Sequence, residues 1–347
     1  MEVPRLPSRR RVGVCGGSKG LSEPATVFCE AVGDALAKAD NVVIVSGGTR
    51  QSERSSGKND LAAEYYVVSA AERTLCMLGR EASVKERIMT VVTDNSAPER
   101  TFQIGAVRHP RGKTSEARRF SFVRRVHALM SVAGGAGTTQ ELALAMELEL
   151  SVLPVPTFGG PSRDYWKAYR EDLIRKLELD AATVERWEQP PLDDAEQLRT
   201  LASEMVDALL ASLPRRCFVI IPYHPDFTPL YDFVIEPAVY AAGDTPIHLQ
   251  RMGVPGEVSA QIRESIKGCD YAIVVLDGLR PNVLYETGLA HAAGKPTVLL
   301  TRVGALDATE RMPFDLSTHQ RLEYQAVGAD LIGRLQDVLA ALPKRRS

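Results

Sequence analysis

The sequence predicts an α/β fold of two doubly wound, Rossmann-like domains, each with a central, mainly parallel sheet. Three observations lead to this prediction. Short apolar runs rich in β-branched residues alternate along the chain with amphipathic helical patterns. Several of these runs end directly in glycine, as strands do where they turn into a crossover helix. The length of 347 residues is enough for about two domains of ~150 residues.

The first half of the chain reads as strand, glycine turn, helix and strand, and this order then repeats. Strands or apolar segments are predicted at 12–17, Asn41–Ser46, Ile88–Val92, Ala128–Ala133 and Val152–Val155. Helices are predicted from Phe28 to Leu36, at Arg118–His127 and at Glu141–Leu150, and the polar stretch Gln51–Asp60 is predicted to be a loop. The repeated pattern is typical of a parallel sheet with crossover helices.

The composition changes between Trp187 and Pro214, where a Pro-Pro pair and an acidic stretch precede the helical run Leu198–Leu213. We therefore predict a first domain at 1–185, a helical linker at 186–214 and a second domain at 215–347. In the second domain, strands are predicted at Cys217–Ile221, Tyr271–Leu276 and Thr297–Leu300, and helices at Leu230–Ala242, Val258–Lys267 and Val283–Ala293.

Composition excludes several functional classes. Lys and Arg number 42 and Asp and Glu number 44, so the net charge of −2 does not favour a nucleic-acid partner. The five cysteines and six histidines are dispersed without metal-ligand spacing, which favours a reducing, cytoplasmic setting and no metal. No signal peptide or membrane span is expected.

A glycine-rich turn lies where the strand pattern at 128–133 passes into a helix. Glycines let a backbone approach a phosphate closely, threonine hydroxyls can donate hydrogen bonds, and the helix N-terminus supplies N–H groups and a positive dipole end. The sequence therefore predicts an anion site, most simply for a nucleotide, although tight turns also use glycine for steric reasons. The predicted ligands are Gly134, Gly135, Gly137, Thr138, Thr139 and Glu141.

The motifs G-V-C-G-G-S, S-G-G-T and A-G-G-A-G-T-T-Q-E, followed by L-P-V-P-T-F-G-G, resemble the LOG/SLOG family, which is related to lysine-decarboxylase-like phosphoribohydrolases. The resemblance covers about the first 185 residues. It implies that the glycine-rich turn holds a nucleotide phosphate and that Glu141 and an upstream arginine act at the ribosyl bond. The positions that it implies for nucleotide binding are Arg118 or Arg119, Gly16, Gly17, Ser18, Gly47 and Gly48.

Two positions depart from the family motif. Ala133 stands where the motif has proline, and Gly47-Gly48-Thr49 lacks the glycine-rich continuation of the hydrolases. A carboxylate and a guanidinium suit both cleaving and gripping a ribose phosphate. The resemblance thus implies nucleotide binding more strongly than catalysis, and members of the wider SLOG group are thought to sense nucleotide-derived signals for a fused effector domain.

A second group of polar residues follows the strand pattern Tyr271–Leu276. Asp277 ends that strand, Asn282 lies in the next loop, and Glu286 is predicted in the first turn of the following helix. This places them around a crevice at the carboxyl ends of a parallel sheet. A glutamate there can attack or stabilise an anomeric carbon, because N-glycosidic cleavage passes through an oxocarbenium-like transition state. We predict Glu286 as catalytic, with Asp277 and Asn282 holding sugar hydroxyls or the leaving base; the alternative is a dipole-stabilised helix residue and a strand-end cap.

The segment N-V-L-Y-E-T-G-L-A-H-A resembles the nucleoside 2-deoxyribosyltransferase-like and TIR-like superfamily, and the resemblance extends over about Arg216–Tyr324. It implies that Glu286 is the catalytic residue and that Asp277 and Asn282 bind substrate. It also implies that Ile221, Pro222 and Tyr231 line the substrate site. Members of this superfamily transfer or hydrolyse bases from nucleosides, nucleotides or NAD.

Three functional hypotheses follow from the two resemblances. In the first, the SLOG-like half senses a nucleotide signal and the TIR-like half cleaves an N-glycosidic bond, of NAD or a related nucleotide, in bacterial stress or antiphage defence, with coupling through homo-oligomer packing. The second is a metabolic nucleoside 5′-monophosphate phosphoribohydrolase or nucleoside salvage enzyme. The third makes both domains non-enzymatic nucleotide-binding platforms. No cofactor is expected beyond NAD or a nucleotide as substrate or signal.

Overall fold

Six parallel strands form the central sheet of the first unit in the computed structural model. They are β1 (Arg10–Gly16), β2 (Val42–Ser46), β3 (Ile88–Val91), β4 (Ala106–Arg108), β5 (Ala128–Val132) and β6 (Ser151–Pro154). Their order in the sheet is β4-β3-β2-β1-β5-β6. The order reverses between β1 and β5, so a ligand crevice is expected at the carboxyl ends of these two strands.

The structure describes residues 9–17, 21–39, 41–51, 61–93, 97–249, 258–305, 316 and 320–342. The helices of the first unit are α1 (Glu23–Lys38), α2 (Ala63–Met77), α3 (Val84–Arg87), α4 (Ser115–Val123), α5 (Ala136–Glu147), α6 (Gly160–Ala168), α7 (Arg170–Leu177), α8 (Ala181–Glu188) and α9 (Ala195–Ala211). Among the helices that the structure describes, none is long and apolar enough to cross a membrane.

Two central strands of the first sheet, β2 and β5, are buried along their whole length. Every residue of β2 and of β5 is buried, because helices cover both faces of the sheet. Strands of this kind read as continuous apolar runs rather than as alternating patterns. This is why the runs Asn41–Ser46 and Ala128–Ala133 could be assigned to strands from the sequence.

The helix α9 belongs to the core of the first unit. Its apolar face, which includes Leu198, Met205 and Leu209, is buried in the same cluster as residues of α1. The first compact unit accordingly extends from Arg9 to Leu213. This corrects the predicted boundary, because the segment assigned to a linker folds onto the first unit instead of standing between two domains.

The second unit begins at Pro214 and contains five parallel strands. The strands are β7 (Arg216–Ile220), β8 (Thr245–Ile247), β9 (Tyr271–Val275), β10 (Thr297–Arg302) and β11 (Arg321–Tyr324), in the order β11-β10-β9-β7-β8. The helices are α10 (Thr228–Leu230, a π-helical segment Tyr231–Ile235 and Glu236–Ala241, in succession), α11 (Val258–Gly268), α12 (Pro281–Ala292) and α13 (Ala329–Ala341). The order reverses between β7 and β9, which puts the expected ligand crevice at their carboxyl ends. The predicted fold class of two doubly wound α/β units is confirmed.

Two helical glycines give a stability prediction. A Cβ on Gly33 in α1 would lie 2.2 Å from the carbonyl oxygen of Val67 in α2, whereas a Cβ on Gly333 in α13 would meet no atom within 4 Å. We expect Gly33→Ala to lower the free energy of unfolding by about 3 kcal/mol, because the two helices must separate. Gly333→Ala should raise it by up to ~1 kcal/mol through helix propensity. Urea unfolding of both variants tests this, and equal effects would contradict the close packing of α1 on α2.

Candidate functional sites

The turn between β5 and α5 leads directly into the N-terminus of a helix. Ala133 and Gly134 adopt positive φ angles of 53° and 110°, and Gly135 is the N-cap residue of α5. Among the residues that the structure describes, no side chain caps this helix, and its first N–H groups do not have that kind of partner. A Cβ on Gly135 would meet no atom within 4 Å, so the space beside this residue is open. The geometry suits an anion, as the sequence predicted.

Arg119 brings a positive charge to the same turn. Its guanidinium lies against Gly137, where a Cβ would be 3.2 Å from Nε and from Nη2. The Nη1 group donates to Oε1 of Gln140 at 2.8 Å, whereas the buried Nε has no hydrogen-bond partner in the described part of the chain. Thr138 is buried against Gly134, and the Oγ1 of the exposed Thr139 lies 3.3 Å from the carbonyl oxygen of Gly135.

Two buried carboxylates, Glu141 and Glu64, lie close together behind this turn. Burial, and after it the charge of Glu64, raise the pKa of Glu141 to about 7 against the opposing charge of Arg118. Cys15 hydrogen-bonds to Glu141, and burial raises the pKa of its thiol well above the usual value. Glu141 can therefore exchange a proton near neutral pH, which suits a group that contacts a ribose or takes part in acid–base chemistry.

Glu64 satisfies the glycine turn that follows β2. Its carboxylate accepts hydrogen bonds from the Ser46 hydroxyl at 2.6 Å, from the Gly47 N–H at 2.8 Å and from the Thr49 N–H at 3.1 Å. The N–H of Gly48 donates to Ser46 Oγ. The amide donors of Gly47 and Gly48 are thus used inside the protein. Their predicted part in nucleotide binding stays a prediction, and it would have to use contacts other than these N–H groups.

Arg118 contacts the glycine turn after β2 and lies near the Glu141 carboxyl group. Its Nη1 donates to the carbonyl oxygen of Gly47 at 2.5 Å and to the hydroxyl of Thr49 at 2.7 Å. The structure thus brings Arg118 and Glu141 together, as the resemblance implied. Arg118 is held by the protein itself, which makes it a positioning group as much as a ligand.

Gly16 and Gly17 shape the crevice by lacking side chains. A Cβ on Gly16 would lie 2.4 Å from the carbonyl oxygen of Val132, and one on Gly17 would lie 2.9 Å from the nitrogen of Gly134. The N–H of Gly17 donates to Val132, so its amide is not available to a ligand. The two turns at the switch point therefore pack directly on each other. Ser18, the third predicted residue of this motif, lies outside the described residues.

Ser162 fixes Ala133 in the glycine-rich turn after β5, a role that the sequence did not indicate. Its hydroxyl donates to the carbonyl oxygen of Ala133 at 2.7 Å, and its N–H donates to the same oxygen at 3.0 Å. Gly160, at φ 62°, makes room for this contact, because a Cβ there would lie 3.0 Å from Ala133. The segment after β6 thus holds Ala133 in the conformation that opens the turn.

In the second unit, Glu286 is a buried carboxyl group with no partner in the described part of the chain. Only 4% of the residue is exposed, and no hydrogen bond or ion pair joins it to another residue that the structure describes. Burial raises its pKa to about 7. The helix α12 begins at Pro281, so Glu286 lies in the second turn and not, as predicted, in the first. It therefore lies beyond the first turn of α12, where the helix dipole acts most strongly on a carboxylate.

Asn282 and Asp277 differ in their availability. Asn282 lies one turn before Glu286 on the same face of α12 and is exposed, so its amide can meet a ligand that reaches Glu286. Asp277 is buried, and its two oxygens accept hydrogen bonds from the Arg302 N–H at 2.7 Å and from the Tyr324 hydroxyl at 2.6 Å. These bonds tie the end of β9 to β10 and β11, so Asp277 supports the crevice from within.

The predicted lining residues converge beside β7. Ile221, Pro222 and Tyr231 line a small cavity with His248, among others. Its volume of about 20 Å³ holds a water molecule and is too small for a base.

Tyr223 and His248 were missed by the sequence prediction. Tyr223 is 43% exposed, and its ring stacks against His248, with the ring centres 6.4 Å apart. His248 in turn packs on Tyr231 at 4.4 Å. Burial, with a contribution from the charge of Glu286, raises the pKa of Tyr223 to about 12, which shows that the phenol and the carboxyl group are neighbours. An aromatic surface therefore lies beside Glu286. In the sequence, the segment Y-H-P at 223–225 is the local feature that could have indicated it.

No protein-family model and no curated protein matches this chain. Among solved structures it is similar to a structural genomics target named TM1055, at 20% identity and a TM-score of 0.34, over 46% of this chain and 81% of that one. It is also similar to the molybdenum cofactor binding protein from the phototrophic bacterium Rippkaea orientalis, at 15% identity and a TM-score of 0.31, over 42% of this chain and 74% of that one. The molybdenum cofactor carrier protein from Chlamydomonas reinhardtii gives 18% identity and a TM-score of 0.29, with the same coverages of 42% and 74%.

Proposed function

We propose that the protein is an N-glycosidase acting on NAD or a related nucleotide, with its catalytic carboxylate in the second unit and a nucleotide-sensing site in the first. Glu286 carries this proposal, because it is a buried carboxylate with no partner among the described residues at the edge of the sheet where α/β proteins bind ligands. An uncompensated carboxylate costs the fold stability. A positively charged sugar centre is the complement that such a group stabilises.

The reaction follows from the charge that develops on the sugar. As the bond between C1′ and the base nitrogen breaks, its electron pair leaves with the base and C1′ becomes oxocarbenium-like. The Glu286 carboxylate stabilises that charge, and a water oxygen bonds to C1′; alternatively the carboxylate bonds to C1′ first, and water then displaces it, which breaks the C1′–oxygen bond and restores the carboxylate. The water supplies one proton to the solvent or to the departing base. The exposed ring of Tyr223 is the surface on which the base lies, and Asn282 binds a sugar hydroxyl.

The pKa of Glu286 predicts the pH dependence of this reaction. Only the ionised carboxylate stabilises the transition state, and burial raises its pKa to about 7. Base release, measured as kcat/KM, should therefore rise between pH 6 and pH 8 with a midpoint near 7, since kcat/KM reports the free enzyme. Tyr223 stays protonated over this range, since its pKa is raised to about 12. A profile that falls as pH rises through 7 would contradict a carboxylate as the acting group.

The proposed sensing site lies at the N-terminus of α5. The open donors of the turn and the Arg119 guanidinium would hold a phosphate, and Arg118 and Glu141 would face the ribose. Arg118 is engaged with the Gly47–Thr49 turn, which favours gripping over cleaving. The SLOG and TIR-like resemblances support a role in bacterial stress or antiphage defence. Regulation requires the signal to bind one state of the protein better than another, most simply through homo-oligomer packing.

The second candidate function is a metabolic nucleoside 5′-monophosphate phosphoribohydrolase or salvage enzyme. The observation in its favour is the pKa of about 7 at Glu141, beside Arg118 and the phosphate turn, which is suited to acid–base chemistry. In that case the chemistry would reside in the first unit and the second would trim or salvage nucleosides.

Mass spectrometry of the purified protein tests the proposed function. The full-length protein is incubated with NAD and, separately, with nucleoside monophosphates, with and without a nucleotide extract from stressed cells. We expect nicotinamide release from NAD that increases with the extract. Unconditional release of base from monophosphates alone would favour the metabolic enzyme, and no release from any substrate would leave two binding platforms.

A further inference from the structure

A stack of three side chains lies at the carboxyl end of β2, beside the proposed sensing site. The guanidinium of Arg50 lies over the ring of Tyr65, 5.3 Å from its centre. The Tyr65 ring meets Phe102 edge-on at 5.5 Å. Phe102 is buried, Tyr65 is half-buried and Arg50 is exposed, so the stack rises from the core and ends in a planar cation that faces solvent.

Backbone pairing fixes the base of this stack. The N–H groups of Arg50 and Gln51 both donate to the carbonyl oxygen of Arg100, at 2.8 and 3.2 Å. The N–H of Phe102 donates to Gly48, and Thr49 pairs with Thr101 in an antiparallel bridge. The segment after β2 and the segment around Phe102 are thereby held together, which pre-organises the Arg50 guanidinium on the Tyr65 ring.

The stack and the glycine-rich turn after β5 follow two strands of the sheet that have one other strand between them. The turn follows β5 and the stack follows β2, and β1 lies between them. Neighbouring strands are ~4.8 Å apart, so the two strand ends are roughly 10 Å apart. The consecutive residues Arg118 and Arg119 bridge this distance, since Arg118 reaches Thr49 next to Arg50 and Arg119 reaches Gly137.

We propose that Arg50 and Tyr65 form the base-binding platform of the first unit: the nucleobase stacks on the outer face of the Arg50 guanidinium while its 5′-phosphate binds at the N-terminus of α5. The ribose then passes Thr49, Arg118 and Glu141. This inference rests on the proposed nucleotide-sensing function and adds that the base, and not only the ribose phosphate, is bound. A planar cation can stack on any of the bases, so purines bind better than pyrimidines only because their stacking area is larger.

Calorimetric titration of the full-length protein with adenosine 5′-monophosphate and with ribose 5-phosphate separates the two parts of the site. Tyr65→Leu removes the ring that orients Arg50, Arg50→Ala removes the platform, and Tyr65→Phe keeps the ring as the matched control. We expect Tyr65→Leu and Arg50→Ala to weaken adenosine monophosphate about tenfold and to leave ribose 5-phosphate unchanged. Tyr65→Phe should leave both affinities unchanged.

Other outcomes overturn the inference in distinguishable ways. Equal weakening of both ligands by Tyr65→Leu would mean that the stack supports only the fold. If ribose 5-phosphate binds as tightly as adenosine monophosphate, the base is not bound, and the platform is refuted while the phosphate site stands. If neither ligand binds, or if Gly135→Asp does not abolish the binding that is seen, both the platform and the sensing site are refuted.

Discussion

Glu286→Gln is expected to lower the rate of base release by ~10³-fold or more. The glutamine keeps the shape of the side chain but cannot offset the positive charge that develops on the sugar, and electrostatic stabilisation of this kind is the largest single contribution in many enzymes. The measurement is the rate of base release from NAD by the full-length variant, with substrate affinity determined separately. Most of the loss should appear in kcat, because the interaction is made in the transition state.

Measuring the stability of Glu286→Gln distinguishes a lost catalytic group from a misfolded protein. The pKa of Glu286 is raised above the ordinary value near 4.5, so the stability that its protonated form contributes is present at low pH and is lost as pH rises through about 7. Glu286→Gln removes that loss, and the variant should be at least as stable as the wild type at pH 8. Glu264→Gln, on the exposed part of α11, is the matched control and should keep full activity. An active Glu286→Gln enzyme would refute the assigned catalytic role.

Gly135→Asp should weaken phosphate-dependent nucleotide binding to the first unit by ~100-fold while leaving the fold intact. The backbone of Gly135, at φ −146° and ψ −160°, is open to any residue, and its Cβ would meet no atom within 4 Å. An aspartate at an N-cap position stabilises a helix by about 0.5 kcal/mol. The same carboxylate occupies the donors that a phosphate needs and repels its charge. Calorimetry gives the affinity, and thermal unfolding gives the stability.

Gly135→Asn is the matched control for that variant. Asparagine caps the helix with nearly the same shape but carries no charge, so it should weaken binding much less than aspartate. Equal losses from the two variants would show that shape and not charge is responsible. If Gly135→Asp leaves the nucleotide affinity unchanged, the phosphate does not bind at the N-terminus of α5.

The parts of the fold that the sequence predicts are those with strong local signals. The buried strands β1, β2, β5, β7 and β9 are continuous apolar runs that end near glycine or a polar residue, and all were assigned. The edge strands β4 and β8 have three residues each, too few to give a pattern. The helix α2 was missed because it follows directly on a polar stretch, and α9 was placed in a linker because its packing on α1 is a contact between distant parts of the chain.

The candidate sites show the same division between local and long-range information. Glu286 and Glu141 lie in short motifs, and the structure puts both in buried positions at the expected crevices. The partners of Asp277 could not be predicted, because one of them is Tyr324, 47 residues further along the chain. Glu64 is similar: its hold on Gly47 and Thr49 depends on how α2 packs against the end of β2, and no local pattern indicates it.

Base release by Glu286→Gln and Glu141→Gln, measured side by side with NAD and with nucleoside monophosphates, tests most directly whether chemistry and sensing reside in different units. We predict that Glu286→Gln abolishes release from every substrate. Glu141→Gln should keep the basal release from NAD and lose only its stimulation by a nucleotide signal. The opposite pattern, in which Glu141→Gln alone abolishes hydrolysis of monophosphates and Glu286→Gln remains active, would contradict this division and assign the chemistry to the first unit.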